Sequence, residues 1–189
     1  MLALLVLVPA PAHAEGIWDQ LRTQDGVVVL FRHALAPGTG DPPEFQLGDC
    51  STQRNLSAVG RARARAIGNK FRAESVPVSA VRSSRWCRVL DTPRLMNLGP
   101  VLPTPALDSV FTASQARADR QRVFTERIIR AHRGGKGVLV LVGHQVNITQ
   151  LTGIAPAPGE GVVVRANPQG RIEVLGTIPA PTIPALTSR

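Results

Sequence analysis

The chain is poor in aromatic residues: its 189 residues include no tyrosine, two tryptophans and five phenylalanines. Aliphatic side chains must therefore supply most of the core, and a hydrophobic fraction of 43% is enough for one ordinary domain. Proteins that bind single-stranded nucleic acid interleave basic residues with aromatic side chains on which bases stack. This pattern is absent, so we expect no nucleic-acid partner. The formal net charge of +9 keeps anionic envelope components and phosphorylated compounds among the expected partners.

Cysteine and histidine are also scarce. The two cysteines are Cys50 and Cys87, and the four histidines are scattered along the chain. Neither set has the spacing of metal ligands, so we expect no metal and no cofactor. Two cysteines can form one disulfide in an oxidising compartment, and the sequence leaves open whether these two pair.

Long hydrophobic runs are missing as well, and no segment is long enough to span a bilayer. The apolar stretch Leu2–Val8 is followed by Ala12-His13-Ala14, which fits the small-x-small pattern of a cleavage site. We therefore interpret residues 1–14 as the end of a signal peptide, with an uncleaved apolar anchor as the alternative. The expectation is a periplasmic or secreted protein with one domain over residues 15–178 and a proline-rich tail over residues 179–189.

Two short apolar runs each end at a histidine. Val27–Phe31 leads directly into Arg32 and His33, and Val138–Val142 is followed by Gly143 and His144. Runs this short and rich in β-branched residues predict strands buried on both faces. Ligands of open α/β sheets bind at the carboxyl ends of such strands. The two histidines are therefore candidates for one site.

The remaining periodicity predicts alternating helices and strands. Ser57 is a candidate helix N-cap, and Gly134–Gly137 is interpreted as a turn because it precedes a strand. We predict helices within 16–25, over 57–72, from Ser83 onward and over 114–132, a strand over 76–81, and an edge hairpin of 161–165 and 171–175. On the helix over 114–132, the residues predicted to face inward are Val123, Phe124, Ile128 and Ala131.

Four motifs, in order, resemble the histidine phosphatase superfamily, the phosphoglycerate mutase-like group. The motifs are Arg32-His33-Ala34, Leu56–Arg61, Ser84–Thr92 and Gly143-His144. The family signature is Arg-His-Gly, so Ala34 departs from it. The resemblance implies a three-layer α/β/α sandwich with a mostly parallel central sheet.

The resemblance also implies roles for individual residues. His33 would attack phosphorus and become phosphohistidine, while Arg32, Arg88 and His144 would bind the phosphoryl oxygens. Arg88 is favoured over Arg82 and Arg85 because Ser84, Arg88 and Thr92 have the family spacing. Arg54 is a further candidate for facing the phosphate. Pro93, in the same motif, is expected to kink or end its helix.

The resemblance also implies a carboxyl group that gives a proton to the leaving group, and the motifs do not identify this residue directly. One branch of the family has Asp immediately after the second histidine, where this chain has Gln145. The other branch has an acidic residue after the region of the third strand, and Asp108 is the match in order. Glu44 is the reserve candidate. It shares the loop of residues 34–50 with Asp41, and carboxylates in such loops are usually solvated.

The sequence thus predicts an exported, metal-independent phosphomonoesterase of the histidine acid phosphatase type. Two alternatives stay open: a non-catalytic protein that binds phosphorylated envelope components such as lipopolysaccharide, and a phosphohistidine-protein phosphatase. Specificity is expected to lie in residues 34–50 and 98–113. The sequence does not give the substrate or the oligomeric state.

Overall fold

The computed structural model describes residues 14–183. The predicted signal segment lies outside this range except for Ala14, and so do residues 184–189 of the predicted tail. Within the described range, no helix is both long and apolar enough to cross a membrane.

Within residues 14–183, five α-helices alternate with six β-strands, and β3 is the one strand that the periodicity did not predict. In chain order the elements are α1 Ala14–Thr23, β1 Val27–Arg32, α2 Ala58–Ala73, β2 Val78–Ser83, α3 Cys87–Met96, β3 Val101–Pro103, α4 Gln115–Ala131, β4 Val138–Gly143, α5 Gln145–Thr152, β5 Gly161–Ala166 and β6 Ile172–Ile178. Short 3₁₀ turns lie at Cys50–Thr52 and Pro105–Leu107.

The six strands form one sheet in the order β3-β2-β4-β1-β5-β6. β3, β2, β4 and β1 pair in parallel, whereas β5 pairs antiparallel with β1 and with β6. The predicted edge hairpin is therefore confirmed as β5–β6. The mostly parallel sheet is also confirmed.

Helices cover both faces of the sheet, because the side chains of a strand alternate between its faces. Val29 and Phe31 of β1 belong to a core cluster with residues of α1, α2 and α3, including Phe71. Val28 and Leu30, which point the other way, belong to a cluster with residues of α4 and α5. This is the predicted three-layer α/β/α sandwich.

The two histidine-bearing strands are neighbours at the centre of the sheet. β1 and β4 pair in parallel, with Arg32 opposite Gly143. The His33 N–H donates to the carbonyl of Gly143 at 3.0 Å, which continues the ladder one residue beyond β1. His33 and His144 therefore leave the sheet side by side at the carboxyl edge.

The helix that carries Arg88 begins later than predicted. Ser83 still pairs with Val142 of β4, and the Ser84 N–H donates to the Val142 carbonyl at 3.0 Å. Because strand pairing occupies these serines, α3 starts at Cys87. It passes through Pro93 and ends at Asn97, which has a left-handed backbone with φ of 52°.

The predicted inward face of α4 is wrong at three of its four residues. Ile128 is half-buried and packs against the core, but Val123, Phe124 and Ala131 are exposed. The buried residues of the helix are Ala118, Thr125 and Ile129. The Thr125 hydroxyl donates to the carbonyls of Gln121 and Ala106, at 3.0 and 3.2 Å. A polar residue can therefore take a buried position, while Val123 and Phe124 face solvent.

Gly60 is required by the close approach of α2 to the segment after His33. A Cβ atom at Gly60 would lie 2.1 Å from the carbonyl oxygen of Leu35. The same carbonyl accepts the Ser57 N–H at 3.0 Å, and the Ser57 hydroxyl caps α2 by accepting the Gly60 N–H. The start of α2 is thus fixed against the chain that leaves β1.

Candidate active site

His33 lies at the centre of the site and is 4% exposed. Its Nδ1 is 2.7 Å from the carbonyl oxygen of Ala34. Because a carbonyl can only accept, Nδ1 carries the proton and the neutral ring keeps a lone pair on Nε2. Burial, and then the charges of Arg88, Arg32 and Arg54, lower the pKa of His33 to about 3. The imidazole is therefore neutral across the physiological pH range, which is the form that can act as a nucleophile.

His144 lies beside His33, with the ring centroids 5.8 Å apart. It is buried, and its Nε2 is 2.9 Å from the hydroxyl of Ser84. Burial, followed by His33 and Arg88, lowers the pKa of His144 well below its usual value. A buried ring with a fixed partner is held in one orientation, as a group that contacts an anion must be.

Arg32 and Arg88 both line the cavity that contains His33. The Nε–H groups of both side chains are buried and, within the described chain, have no hydrogen-bond partner. Arg88 is 3% exposed, and Arg32 is anchored by one Nη1 bond to the carbonyl of Pro156 at 3.0 Å. Buried donors without acceptors are costly, and two beside one histidine favour an anion as the missing acceptor.

Thr92 explains why the spacing of its motif places Arg88 next to His33. Its hydroxyl donates to the Arg88 carbonyl at 2.8 Å and accepts the N–H of Ala34 at 3.1 Å. One side chain therefore ties α3 to the residue that follows His33.

Asp41 holds the guanidinium of Arg88. Arg88 donates from Nη1 to Oδ1 at 2.5 Å and from Nη2 to Oδ2 at 3.0 Å, and the indole N–H of Trp86 donates to Oδ2 at 3.0 Å. Burial raises the pKa of Asp41, but the hydrogen bonds and charge of Arg88 outweigh it and the net pKa is lowered. The two terminal nitrogens of Arg88 therefore already donate to a carboxylate of the protein.

Arg54 lines the same cavity, and two of its side-chain nitrogens donate hydrogen bonds to carbonyls of the neighbouring loop. Its Nε donates to the Gly40 carbonyl at 2.8 Å, and its Nη1 donates to the carbonyl of Ala36. Arg54 therefore shapes the loop that carries Asp41 and adds positive charge near the two histidines.

Asp108 is buried at the edge of the site and fully hydrogen-bonded. Its Oδ1 accepts the N–H of Arg85 at 3.0 Å and the hydroxyl of Ser84 at 3.3 Å, while Oδ2 accepts Nε and Nη2 of Arg85 at 2.9 and 2.5 Å. Ser84 thus contacts both Asp108 and His144. The reserve candidate, Glu44, is exposed and does not line the cavity.

A disulfide between Cys50 and Cys87 joins the loop of residues 34–50 to the first residue of α3. Gln53 adds a second link, because its Oε1 accepts the N–H of Cys87 at 2.9 Å. Both links lie next to Arg88, so they fix the loop against the helix that carries this arginine.

The two histidines and the charged side chains around them line one cavity with a volume of about 810 Å³. Five arginines and two aspartates face it: Arg32, Arg54, Arg85, Arg88, Arg117, Asp41 and Asp108. The excess of positive charge suits an anion. Among residues 14–183, no group of three or more His, Cys, Asp or Glu residues is placed to hold a metal ion.

Sequence reasoning missed the aromatic part of the site. The Trp86 ring packs on His144 with centroids 5.3 Å apart and stacks on Phe45 at 5.1 Å, and Phe111 also lines the cavity. Three of the seven phenylalanines and tryptophans of the chain lie at this site. In a chain with so few aromatic residues, their position in the sequence was the signal that could have located this part of the site.

No family model and no curated protein sequence matches the chain. Solved structures do match. The protein histidine phosphatase SixA, in complex with tungstate, is 14% identical, with 81% of this chain and 96% of that chain covered at a TM-score of 0.58. A phosphoserine phosphatase from Entamoeba histolytica, in complex with phosphoserine, is 10% identical, with coverage of 80% and 95% and a TM-score of 0.60. A mycobacterial glucosyl-3-phosphoglycerate phosphatase is 16% identical, with coverage of 79% and 97% and a TM-score of 0.55. At these identities the likeness establishes the fold.

Proposed function

We propose that this chain, which has the fold of the histidine phosphatase superfamily, hydrolyses phosphomonoesters through a phosphohistidine on His33. The observation that carries the proposal is the neutral imidazole of His33, which keeps its Nε2 lone pair and lies among three arginines. The structural neighbours are phosphatases of this superfamily, and one of them holds tungstate and another phosphoserine.

The first half-reaction forms a bond between Nε2 of His33 and phosphorus. The P–O bond to the alcohol breaks, and its electron pair leaves with the alcohol oxygen. Arg32 and Arg88 bind the phosphoryl oxygens, which carry the developing charge. His144 can also donate to these oxygens when its Nε2–H exchanges the hydroxyl of Ser84 for the phosphoryl group. Arg88 must then exchange part of its contact with Asp41 for the phosphoryl group. In the second half-reaction water attacks phosphorus and returns a proton to the acid that protonated the alcohol oxygen. The P–N bond breaks, its electron pair returns to Nε2 of His33, and inorganic phosphate leaves.

Asp108 is our proposal for the group that gives the alcohol oxygen its proton. It is buried, lines the cavity and shares Ser84 with His144. Its four hydrogen bonds all come from donors, so Asp108 must release at least one of them to give a proton to the alcohol oxygen.

We further propose that the protein acts in the periplasm or outside the cell. The apolar segment before Ala14 and the Cys50–Cys87 disulfide both support this, because disulfides persist in oxidising compartments.

A phosphohistidine-protein phosphatase is the second candidate, since one neighbour has that activity and a nitrogen leaving group needs less help from an acid. The third candidate is a phosphate-binding protein without turnover. It is favoured by the ion pairs that Asp41 and Asp108 form with arginines, because a paired carboxylate transfers a proton less readily.

The deciding experiment assays p-nitrophenyl phosphate with residues 15–189 from pH 4 to 8 in the presence of EDTA. Turnover that survives EDTA and disappears in His33→Ala supports the proposal. If neither protein turns over the ester at any pH, the general phosphomonoesterase is excluded. Phosphate titration and a phosphohistidine peptide then separate the other two candidates.

A further inference from the structure

We propose that the outer part of the cavity binds an apolar alcohol portion of the substrate, so that the preferred phosphomonoesters carry a hydrophobic chain or ring. The inference rests on the proposed function, because the phosphoryl group bound at His33 fixes where the alcohol begins. It names the substrate class for the same site.

The first argument is the distribution of large apolar side chains. The cavity that contains His33 is also lined by Phe45, Leu47, Trp86 and Phe111. Leu47 is 41% exposed and Phe111 is 57% exposed. Large apolar residues exposed together at the mouth of a charged cavity mark a ligand-binding surface more often than a solvated one.

The second argument is that part of this apolar lining is held in place. Phe45 stacks on Trp86, which packs on His144, so aromatic contacts extend from the buried histidine to the loop. The backbone before Phe111 is also anchored, because the Val110 N–H donates to the side chain of Asn147 and Val110 is buried.

The third argument is size. A volume of about 810 Å³ lies within the range of sites that enclose a drug-sized molecule, whereas a phosphoryl group fills only the buried end around His33. Both cavity aspartates are ion-paired, Asp41 with Arg88 and Asp108 with Arg85. The hydroxyls of a sugar would therefore have to compete with an arginine for either carboxylate.

The test compares phosphonates, which keep the anionic head group and cannot be hydrolysed. Calorimetry would give the Kd of methyl-, hexyl-, benzyl- and 2-carboxyethylphosphonate with the wild-type protein. We expect hexyl- or benzylphosphonate to bind at least tenfold more tightly than methylphosphonate, because each buried methylene contributes about a fourfold gain. The hexyl and benzyl compounds tell a chain from a ring. Equal affinities, tightest binding of the carboxylate through Arg117, or no binding of any phosphonate would overturn the inference.

Variants locate the effect. Phe111→Ala is expected to reduce the hexyl-to-methyl affinity ratio at least threefold. The matched control is Phe124→Ala on α4, because Phe124 is 50% exposed and lies outside this cavity. It should leave the ratio unchanged, and an equal loss in both variants would contradict the assignment.

The turnover assay keeps the two proposals apart. Selective binding of hexylphosphonate without hydrolysis of p-nitrophenyl phosphate would remove the phosphatase and retain the apolar site. Hydrolysis without selectivity among the phosphonates would do the reverse.

Discussion

The carboxylate of Asp41 and the guanidinium of Arg88 form a bidentate ion pair at the position where the proposed mechanism requires a phosphoryl group. Arg88 is almost fully buried, and its remaining Nε–H has no partner within the described chain. A substrate phosphate must therefore compete with a carboxylate of the protein itself for the strongest donors in the cavity.

Asp41→Asn should strengthen the binding of inorganic phosphate by about three- to tenfold, equivalent to roughly 1 kcal/mol. The amide removes a negative charge that repels the phosphate and weakens the competing contact with Arg88. Calorimetry, or the inhibition constant of phosphate in the turnover assay, would measure the change. Glu44→Gln is the matched control, because it removes the same charge from an exposed position on the same loop. Weaker phosphate binding in Asp41→Asn would show instead that Asp41 orients Arg88.

The parts of the site that rigid elements carry were predictable from the sequence. His33 and His144 were found because each follows a buried strand, and parallel neighbours bring their carboxyl ends together. Arg88 was found by spacing, and the Thr92 hydroxyl gives that spacing its physical reason.

Loop-borne groups were not predictable in the same way. The pairing of Asp41 with Arg88 depends on Arg54, which holds the carbonyls of the loop, and on the Cys50–Cys87 bridge. These contacts join residues far apart in the chain, so no local pattern encodes them. The prediction of the inward face of α4 was wrong for a related reason. Hydrogen bonds from its hydroxyl allow Thr125 to be buried, and Phe124 is exposed.

Asp108→Asn should lower turnover of alkyl phosphates at least 100-fold, because general acid catalysis contributes roughly 10²- to 10⁴-fold. The loss with p-nitrophenyl phosphate should be much smaller, since its weakly basic leaving group departs without a proton. The ratio of kcat/KM between the two substrates is the measurement. An equal loss with both would indicate that Asp108 positions Arg85 and Ser84 and transfers no proton.

Removal of the disulfide, in Cys50→Ser with Cys87→Ser, should lower the free energy of unfolding by about 2–4 kcal/mol. The bridge closes a sequence separation of 37 residues, which restricts the unfolded chain. Urea denaturation of the double variant against the oxidised wild type measures the difference. A reductant should destabilise the wild type to a similar extent and leave the variant unchanged. If the variant equals the wild type in stability, the Gln53 contact with Cys87 alone fixes the loop.

The lowered pKa of His33 makes the stability of the fold depend on pH. Its folded-state pKa is about 3 against a usual 6.5, so the unfolded chain binds the proton more readily. The resulting stabilisation is complete above pH 6.5 and is lost as the pH falls toward 3. Between pH 7 and pH 5 the wild type should lose about 2 kcal/mol more than His33→Gln, in which this titration is absent. Urea denaturation of both proteins at the two pH values gives this difference, and carboxylates common to both cancel in the comparison. Equal losses would mean that His33 is protonated in the folded protein by pH 5, which would also remove the neutral nucleophile at that pH.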